Sequence, residues 1–297
     1  MNFLLTGATG FIGNRLIAEL LKRQHTVGYF TRKVRPSPLR HVGQYYWDFN
    51  APPAAEPFRD VDIVVHLAGE PVAQRWTPEV KRQIRSSRVE GTRSLVNTMS
   101  RLPKPPAVLI CASAIGLYGD RGDEQLTEAS APGKGFLPEV CEEWEAEANR
   151  AERAGIQVVN FRIGIVLGPE GGALKQMLLP FKLGAGGVIA GGQQWMSWIH
   201  VDDLVSLLVY SAENMVVGPV NATAPNPVRN SDFTRSLAAA VHRPAIFPIP
   251  GFALKLLYGE MAEVLLGSQR VLPAAAQAAG FEFAYPTLDG ALKQLLG

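Results

Sequence analysis

Cysteine is scarce. Cys111 and Cys141 are the only two in 297 residues, too few for a disulfide framework and in keeping with a reducing cytoplasm. Charge of one sign is not in excess either. Lys and Arg number 29 against 27 Asp and Glu, a formal net charge of +2, and there is no run of about five or six like charges. That balance argues against nucleic acid as a partner. No apolar stretch of about 18 residues passes without a charge, so no transmembrane helix and no membrane partner are expected. The N-terminus lacks the basic region and cleavage site of a signal peptide. The two cysteines and five histidines show no metal-ligand spacing. What is present is 47% hydrophobic and 19% charged residues, the composition of an ordinary globular protein with ample chain for a core.

Strand and helix signals alternate. Phe3 to Leu5 is a short apolar run, and residues 11–23 carry Phe11, Ile12, Leu16, Leu20 and Leu21 near helical spacing. Thr26 to Phe30 reads as a strand. A Pro-rich loop follows (Pro36, Pro38, Pro52, Pro53, Pro57), then a strand from Val61 to Leu67. A polar helix from Pro78 to Leu102, a strand from Val108 to Ala112, a charged helix over 136–154 and strand signals at Val158–Phe161 and Ile163–Leu167 complete the series. This pattern predicts an α/β fold: a Rossmann-type doubly wound parallel sheet that binds ligands at the carboxyl ends of its strands. Beyond about Pro169 glycines cluster, and beyond Pro225 the chain reads as mostly helical. The expected division is a dinucleotide-binding domain over 1–170 with 200–224, and a smaller, mostly helical C-terminal substrate-side domain over 171–199 with 225–297.

The sharpest motif is Leu4-Leu5-Thr6-Gly7-Ala8-Thr9-Gly10-Phe11-Ile12-Gly13. It joins a strand, a glycine turn and a helix start. Gly7 permits the turn, Gly10 lets the backbone approach a pyrophosphate, and Gly13 lets helix and strand pack closely. The free amides of the first helical turn then hold the phosphates. The plainer alternative is a glycine turn with no ligand. At the end of the second strand, where an NAD site usually places a carboxylate for the ribose 2′-hydroxyl, stands Thr31-Arg32-Lys33. Arg32 can bond a 2′-phosphate, so NADP(H) is favoured over NAD(H). Here the plainer alternative is a solvated strand end.

The G-x-x-G-x-x-G spacing resembles the extended, epimerase-like branch of the short-chain dehydrogenase/reductase superfamily. His66-Leu67-Ala68-Gly69, Ser113-Ala114-Ile115-Gly116-Leu117-Tyr118-Gly119 and Trp198-Ile199-His200-Val201-Asp202-Asp203-Leu204 resemble further segments of it. The resemblance implies cofactor contacts at Gly7, Thr9, Gly10, Phe11, Ile12, Gly13, Thr31, Arg32, Leu67, Ala68, Gly69, Gln83, Arg88 and Ile165. His200 and Asp202 read as ties between the smaller domain and the following helix.

Hydride-transferring members of that superfamily carry Tyr-x-x-x-Lys on the helix after the fifth strand. The Lys lowers the Tyr pKa, and the phenol exchanges a proton with substrate. With Glu145 in the place of the glutamate that often follows, Leu137 and Cys141 stand where Tyr and Lys should be. Tyr29 alone has Lys at +4 (Lys33), on the second strand, so the pair is absent rather than shifted. This departure, with Leu178-Leu179-Pro180-Phe181-Lys182-Leu183-Gly184 and Phe247-Pro248-Ile249-Pro250, resembles an atypical epimerase-family subgroup with an uncharacterised C-terminal domain. Ser113 and Tyr118 are the candidate catalytic residues, with Glu70, Lys134 and His200 as further groups near the nicotinamide end. A Tyr at a strand end is more often a packing residue with its hydroxyl in water. Two functions stay open: an NADP(H)-dependent oxidoreductase or epimerase with an unusual acid–base group and an unidentified small-molecule substrate, or an NADP(H)-binding regulator without catalysis. A homodimer is the assembly the resemblance allows.

Overall fold

The apolar runs become strands buried on both faces, as a parallel sheet with helices on each side requires. A computed structural model describes residues 1–34, 42–49 and 51–297. The order begins β1 (Asn2–Thr6), α1 (Phe11–Lys22), β2 (Thr26–Thr31), β3 (Val42–Tyr46), β4 (Ile63–His66), α2 (Pro78–Met99), β5 (Val108–Ala114). It continues with β6 (Gln125–Leu126), α3 (Phe136–Asn149), β7 (Gln157–Ile163), β8 (Ile165–Gly168), α4 (Gly172–Lys182), β9 (Trp195–Met196), β10 (Trp198–His200), α5 (Val201–Glu213), β11 (Gly218–Ala222). The remainder holds β12 (Val228–Arg229), α6 (Asn230–Ala240), α7 (Gly251–Tyr258), α8 (Ala262–Leu266), β13 (Arg270–Val271), α9 (Ala274–Ala278), α10 (Leu288–Leu296).

Seven strands form one sheet in the order β11-β7-β5-β4-β1-β2-β3, with parallel neighbours throughout. From β1 the chain winds outward through β2 to β3, then crosses back to β4 on the other side. The crevice above the ends of β1 and β4 is therefore the topological switch point, where open α/β sheets bind ligands. One face of the sheet is covered by α1 and α5, whose Leu16, Leu20, Leu204 and Leu208 pack on Leu5 and Val65. The other is covered by α2 and α3, whose Leu95, Met99 and Trp144 pack on Leu4, Val64 and Leu109. A third core gathers Leu167, Trp198, Phe233, Leu237 and Leu292. Two C-terminal residues, Ala276 and Phe281, join the α1–α5 core instead.

Local chemistry sets the helix ends. Thr77 caps α2 by accepting from the Val80 amide, with Pro78 in the first turn. His200 caps α5: its Nδ1 accepts from the Asp202 amide at 3.0 Å, and its Nε2 lies 2.8 Å from Gln294 Oε1. Its ring stacks on Tyr285, so it ties α5 to the C-terminal segment. Among the described residues no helix is long and apolar enough to cross a membrane.

The structure departs from the sequence expectations in three places. Val42–Tyr46 is an edge strand, hidden from a periodicity reading because its residues are half-exposed without alternation. Pro36 and Pro38 of the expected loop lie outside the described residues. The helix over 136–154 ends at Asn149 and tightens into a 3-10 turn over Arg150–Ala154. The expected Ile163–Leu167 signal is split at Gly164: Ile163 ends β7 in the main sheet, while Ile165–Gly168 forms β8 and pairs with β10. A Cβ at Gly164 would lie 2.6 Å from the Ser197 carbonyl oxygen, so the chain can cross between sheets there only without a side chain.

Candidate functional site

The glycine loop between β1 and α1 is held by backbone. Gly7 has φ +69°, and a Cβ there would lie 2.7 Å from Leu67 C. A Cβ at Gly13 would lie 2.4 Å from Gly7 O and 2.5 Å from Ala8 Cα. The Asn14 amide makes the first bond of α1, to Gly10 O at 3.0 Å. The amides of Phe11, Ile12 and Gly13 precede it, and the N-cap Gly10 offers no side chain to them.

Above this loop lies a cavity of about 1090 Å³. It is lined by Gly7, Thr9 and Gly10 of the loop, by Thr31, Arg32 and Lys33 at the end of β2, and by Leu67, Ala68, Gly69, Glu70 and Pro71 after β4. Tyr29, Trp47, Phe49 and Ser87 also contribute. The expected contacts Gly7, Thr9, Gly10, Thr31, Arg32, Leu67, Ala68 and Gly69 thus come together around one space. A bare-backbone loop against helix-terminal amides fits a dinucleotide's phosphates, and two cations stand at the far strand end. A Cβ at Gly10 would meet only Gly7 O, at 3.2 Å, so that glycine leaves space in the cavity rather than relieving a crowded core.

The other named residues do not line the cavity. Gly13 packs α1 onto the loop, and the Phe11 side chain lies against Gly168 and Gly171. Ile12 packs on the α1–α5 core, and Ile165 belongs to the third core. Gln83 is exposed and donates to Glu79 Oε1 at 3.0 Å. Arg88 lies behind the lining, its guanidinium against Gly69.

Ser113 and Tyr118 also stand outside the lining, bound into a buried polar network. Ser113 donates to Glu145 Oε1 at 2.6 Å. The Glu145 carboxylate accepts from Arg162 Nε at 2.9 Å and Nη2 at 2.8 Å. Arg162 Nη1 also donates to the Tyr118 hydroxyl at 2.9 Å, and that hydroxyl donates to Asn221 Oδ1 at 2.7 Å. Tyr118 is fully buried, so its hydroxyl is not in water. Burial raises its pKa, against the lowering effect of the Arg162 charge. Lys134 is exposed, and His200 is a helix cap. Leu137 is half-buried, packed with Trp76, Ile84 and Met261. Burial is the first cause pushing the Cys141 thiol up to about 12, so it is neither an acid nor a cation near neutrality.

One buried group escapes a reading of the sequence. His66 has Thr6 Oγ1 at 2.6 Å from Nδ1 and Thr92 Oγ1 at 3.0 Å from Nε2. The same Thr6 oxygen accepts from the Ala68 amide at 3.2 Å, so the ring links β1, the turn after β4 and α2. Burial first, and the Arg88 charge second, lower its pKa to about 4. An unfolded histidine titrates near 6.5. The unfolded chain therefore binds more protons between these values, and the contribution of neutral His66 is complete above 6.5 and lost as pH falls toward 4, by about 3 kcal/mol. Chemical denaturation at pH 7 and pH 4.5 should show this acid loss in the native protein and a smaller one in His66→Gln. Equal losses would contradict the assignment.

Comparison with known proteins agrees with the geometry. The NAD dependent epimerase/dehydratase family matches residues 3–223, and a domain of unknown function, DUF1731, matches residues 249–295. The chain is 41% identical over 305 residues to the chloroplastic epimerase family protein SDR39U1 homolog of Arabidopsis thaliana, spanning all of this chain and 87% of that one. It is 38% identical over 298 residues to the epimerase family protein YfhF of Bacillus subtilis, spanning 100% and 98%. The crystal structure of human epimerase family protein SDR39U1 with NADPH superposes with a TM-score of 0.88 at 32% identity, covering 100% of this chain and 99% of that one. The switch-point cavity, the glycine loop and these matches together show that the chain belongs to the NAD(P)-binding, NAD dependent epimerase/dehydratase family.

Proposed function

We propose that the chain is an NADP(H)-binding, epimerase-like oxidoreductase whose acid–base group is not Tyr-x-x-x-Lys. The observation that carries the choice of cofactor is the far end of the cavity, where Arg32 and Lys33 stand exposed. Among the described residues neither has a carboxylate within salt-bridge distance. The human relative's complex with NADPH supports the same choice. Replacing Arg32 with Asp should weaken NADPH binding about 100-fold and leave NADH binding within about threefold, because only NADPH carries the 2′-phosphate. Parallel titrations with the two nucleotides check this, and equal effects on both would contradict it.

When bound, the nicotinamide supplies hydride chemistry. The glycine loop and the start of α1 hold the pyrophosphate, and Arg32 holds the 2′-phosphate. Of the five proton-bearing groups named from the sequence, Glu70 alone lines the cavity. Its amide donates to Ser87 Oγ at 3.0 Å, and on this reading Glu70 is the candidate acid–base residue. The second reading, an NADP(H)-dependent regulator, is favoured by the apolar packing of Leu137 and the inert Cys141 thiol. Deuterium-labelled NADPH mixed with metabolite extract separates the two. Label entering a carbonyl compound with the native protein, and not with Glu70→Gln, supports catalysis. No transfer, with NADPH changing the affinity for a protein partner, supports regulation.

A further inference from the structure

Large apolar side chains stand in water on α4, on α7 and on the segment leading into α7. Leu179 lies on α4 with Leu183 at its C-terminal cap, Ile246 and Phe247 precede α7, and Phe252 and Leu256 lie on it. Each is more than half exposed, and Phe252 and Leu256 reach 75%. Spacing puts them on common faces. Lys175, Leu179 and Leu183 follow one another at four-residue steps, as do Phe252 and Leu256, with Lys255 beside them. The two segments adjoin. Arg243 Nε donates to Lys182 O at 3.2 Å, the Phe247 carbonyl closes on Gly187, and the Ala190 amide donates to Ile249 O at 3.0 Å. Single exposed apolar side chains are ordinary, but a group of this size marks an interaction surface.

The charge on these segments has one sign. Residues 171–201 and 241–259 hold Lys175, Lys182, Arg243 and Lys255, and no Asp or Glu. All four cations are exposed, and among the described residues none has a carboxylate within salt-bridge distance. Neighbouring carboxylates are engaged elsewhere: Glu260 with Lys81 at 2.6 Å and Asp123 with Arg229 at 2.8 Å. Glu263 stands on α8, which packs against α7. A second copy seated on this face would bring like charges together. Leu and Lys are also not the residues that mark a protein interface, whose core favours Tyr, Trp, Met and Arg and is depleted of Lys. Phe and Leu interleaved with lysines are what a helix lying on an anionic bilayer presents.

We propose that this face docks the protein on an anionic lipid surface. Phe247, Phe252 and Leu256 enter the boundary between headgroups and acyl chains, and Lys182, Arg243 and Lys255 lie among the headgroups. The expectation of no membrane partner rested on the lack of a spanning helix, and lying on a bilayer requires none.

Flotation with two sets of vesicles tests this, one of phosphatidylcholine alone and one with about one third phosphatidylglycerol. At low salt the native protein should bind the anionic vesicles at least about tenfold more tightly than the neutral ones, and about 0.5 M salt should release it. Phe252→Ser with Leu256→Ser should weaken binding about tenfold or more, and so should Lys182→Glu with Lys255→Glu. All four side chains are exposed, so the melting temperature should hold in both variants. No binding to the anionic vesicles, equal binding to the two sets, or native-like binding by the variants would overturn the proposal. So would a native dimer that Phe252→Ser with Leu256→Ser turns into a monomer, or binding to polyglutamate in place of vesicles, since either gives the face to a protein.

Discussion

Glu145→Ala is expected to destabilise the protein by about 3–5 kcal/mol, the effect of removing one partner from a buried ion pair. Burial acts to lower the Arg162 pKa, but the hydrogen bonds and charge of Glu145 raise it overall. Arg162 and Glu145 are both buried. Without the carboxylate, the guanidinium keeps only the Tyr118 hydroxyl and the Glu128 carbonyl oxygen, at 2.9 and 3.0 Å. Ser113 loses its acceptor at the same time. Replacing both ends, Glu145→Met with Arg162→Met, removes the stranded charge and should be less damaging than Glu145→Ala alone. Urea midpoints of the single and double variants measure this. A single-variant loss below about 1 kcal/mol would show that the network is not a fixed strut.

Gly13→Ala is expected to abolish dinucleotide binding while leaving much of the sheet intact. The added Cβ would meet Gly7 O at 2.4 Å, Ala8 Cα at 2.5 Å and Ala8 O at 2.7 Å. All three are backbone atoms, so α1 and the loop must separate. The expected result is a loss of about 100-fold or more in NADPH affinity, with about 1–3 kcal/mol of stability lost to overpacking. Gly10→Ala is the control. Its Cβ has one backbone neighbour, at 3.2 Å, so thermal stability should hold while the methyl group enters the cavity. If Gly13→Ala bound NADPH normally, the close helix–loop approach would have no role in the site.

Much of the fold is legible in the sequence because buried parallel strands are written as apolar runs, such as Ile63 to Val65 within β4, and because α1 shows clear helical spacing. The edge strand Val42–Tyr46 is not, since half of its environment is water and its pattern carries no period. The break at Gly164 is not, since the contact that forces it is with Ser197, far along the chain. The glycine loop and Arg32 are legible because sequence neighbours build that part of the cavity. Ser113 and Tyr118 look open to substrate from the sequence but are not, because their partners come from elsewhere: Tyr118 and Asn221 are 103 positions apart. A charged residue, Arg162, inside the otherwise largely apolar stretch Val158 to Ile163 is the available signal, since arginine is rarely buried without a partner.

Calorimetric titration of the native protein with NADPH and, separately, with NADH tests the central claim most directly. The account predicts one NADPH bound per chain, at least about tenfold tighter than NADH, since the 2′-phosphate adds charge-assisted bonds to Arg32. No heat with NADPH, or equal affinity for the two nucleotides, would contradict it.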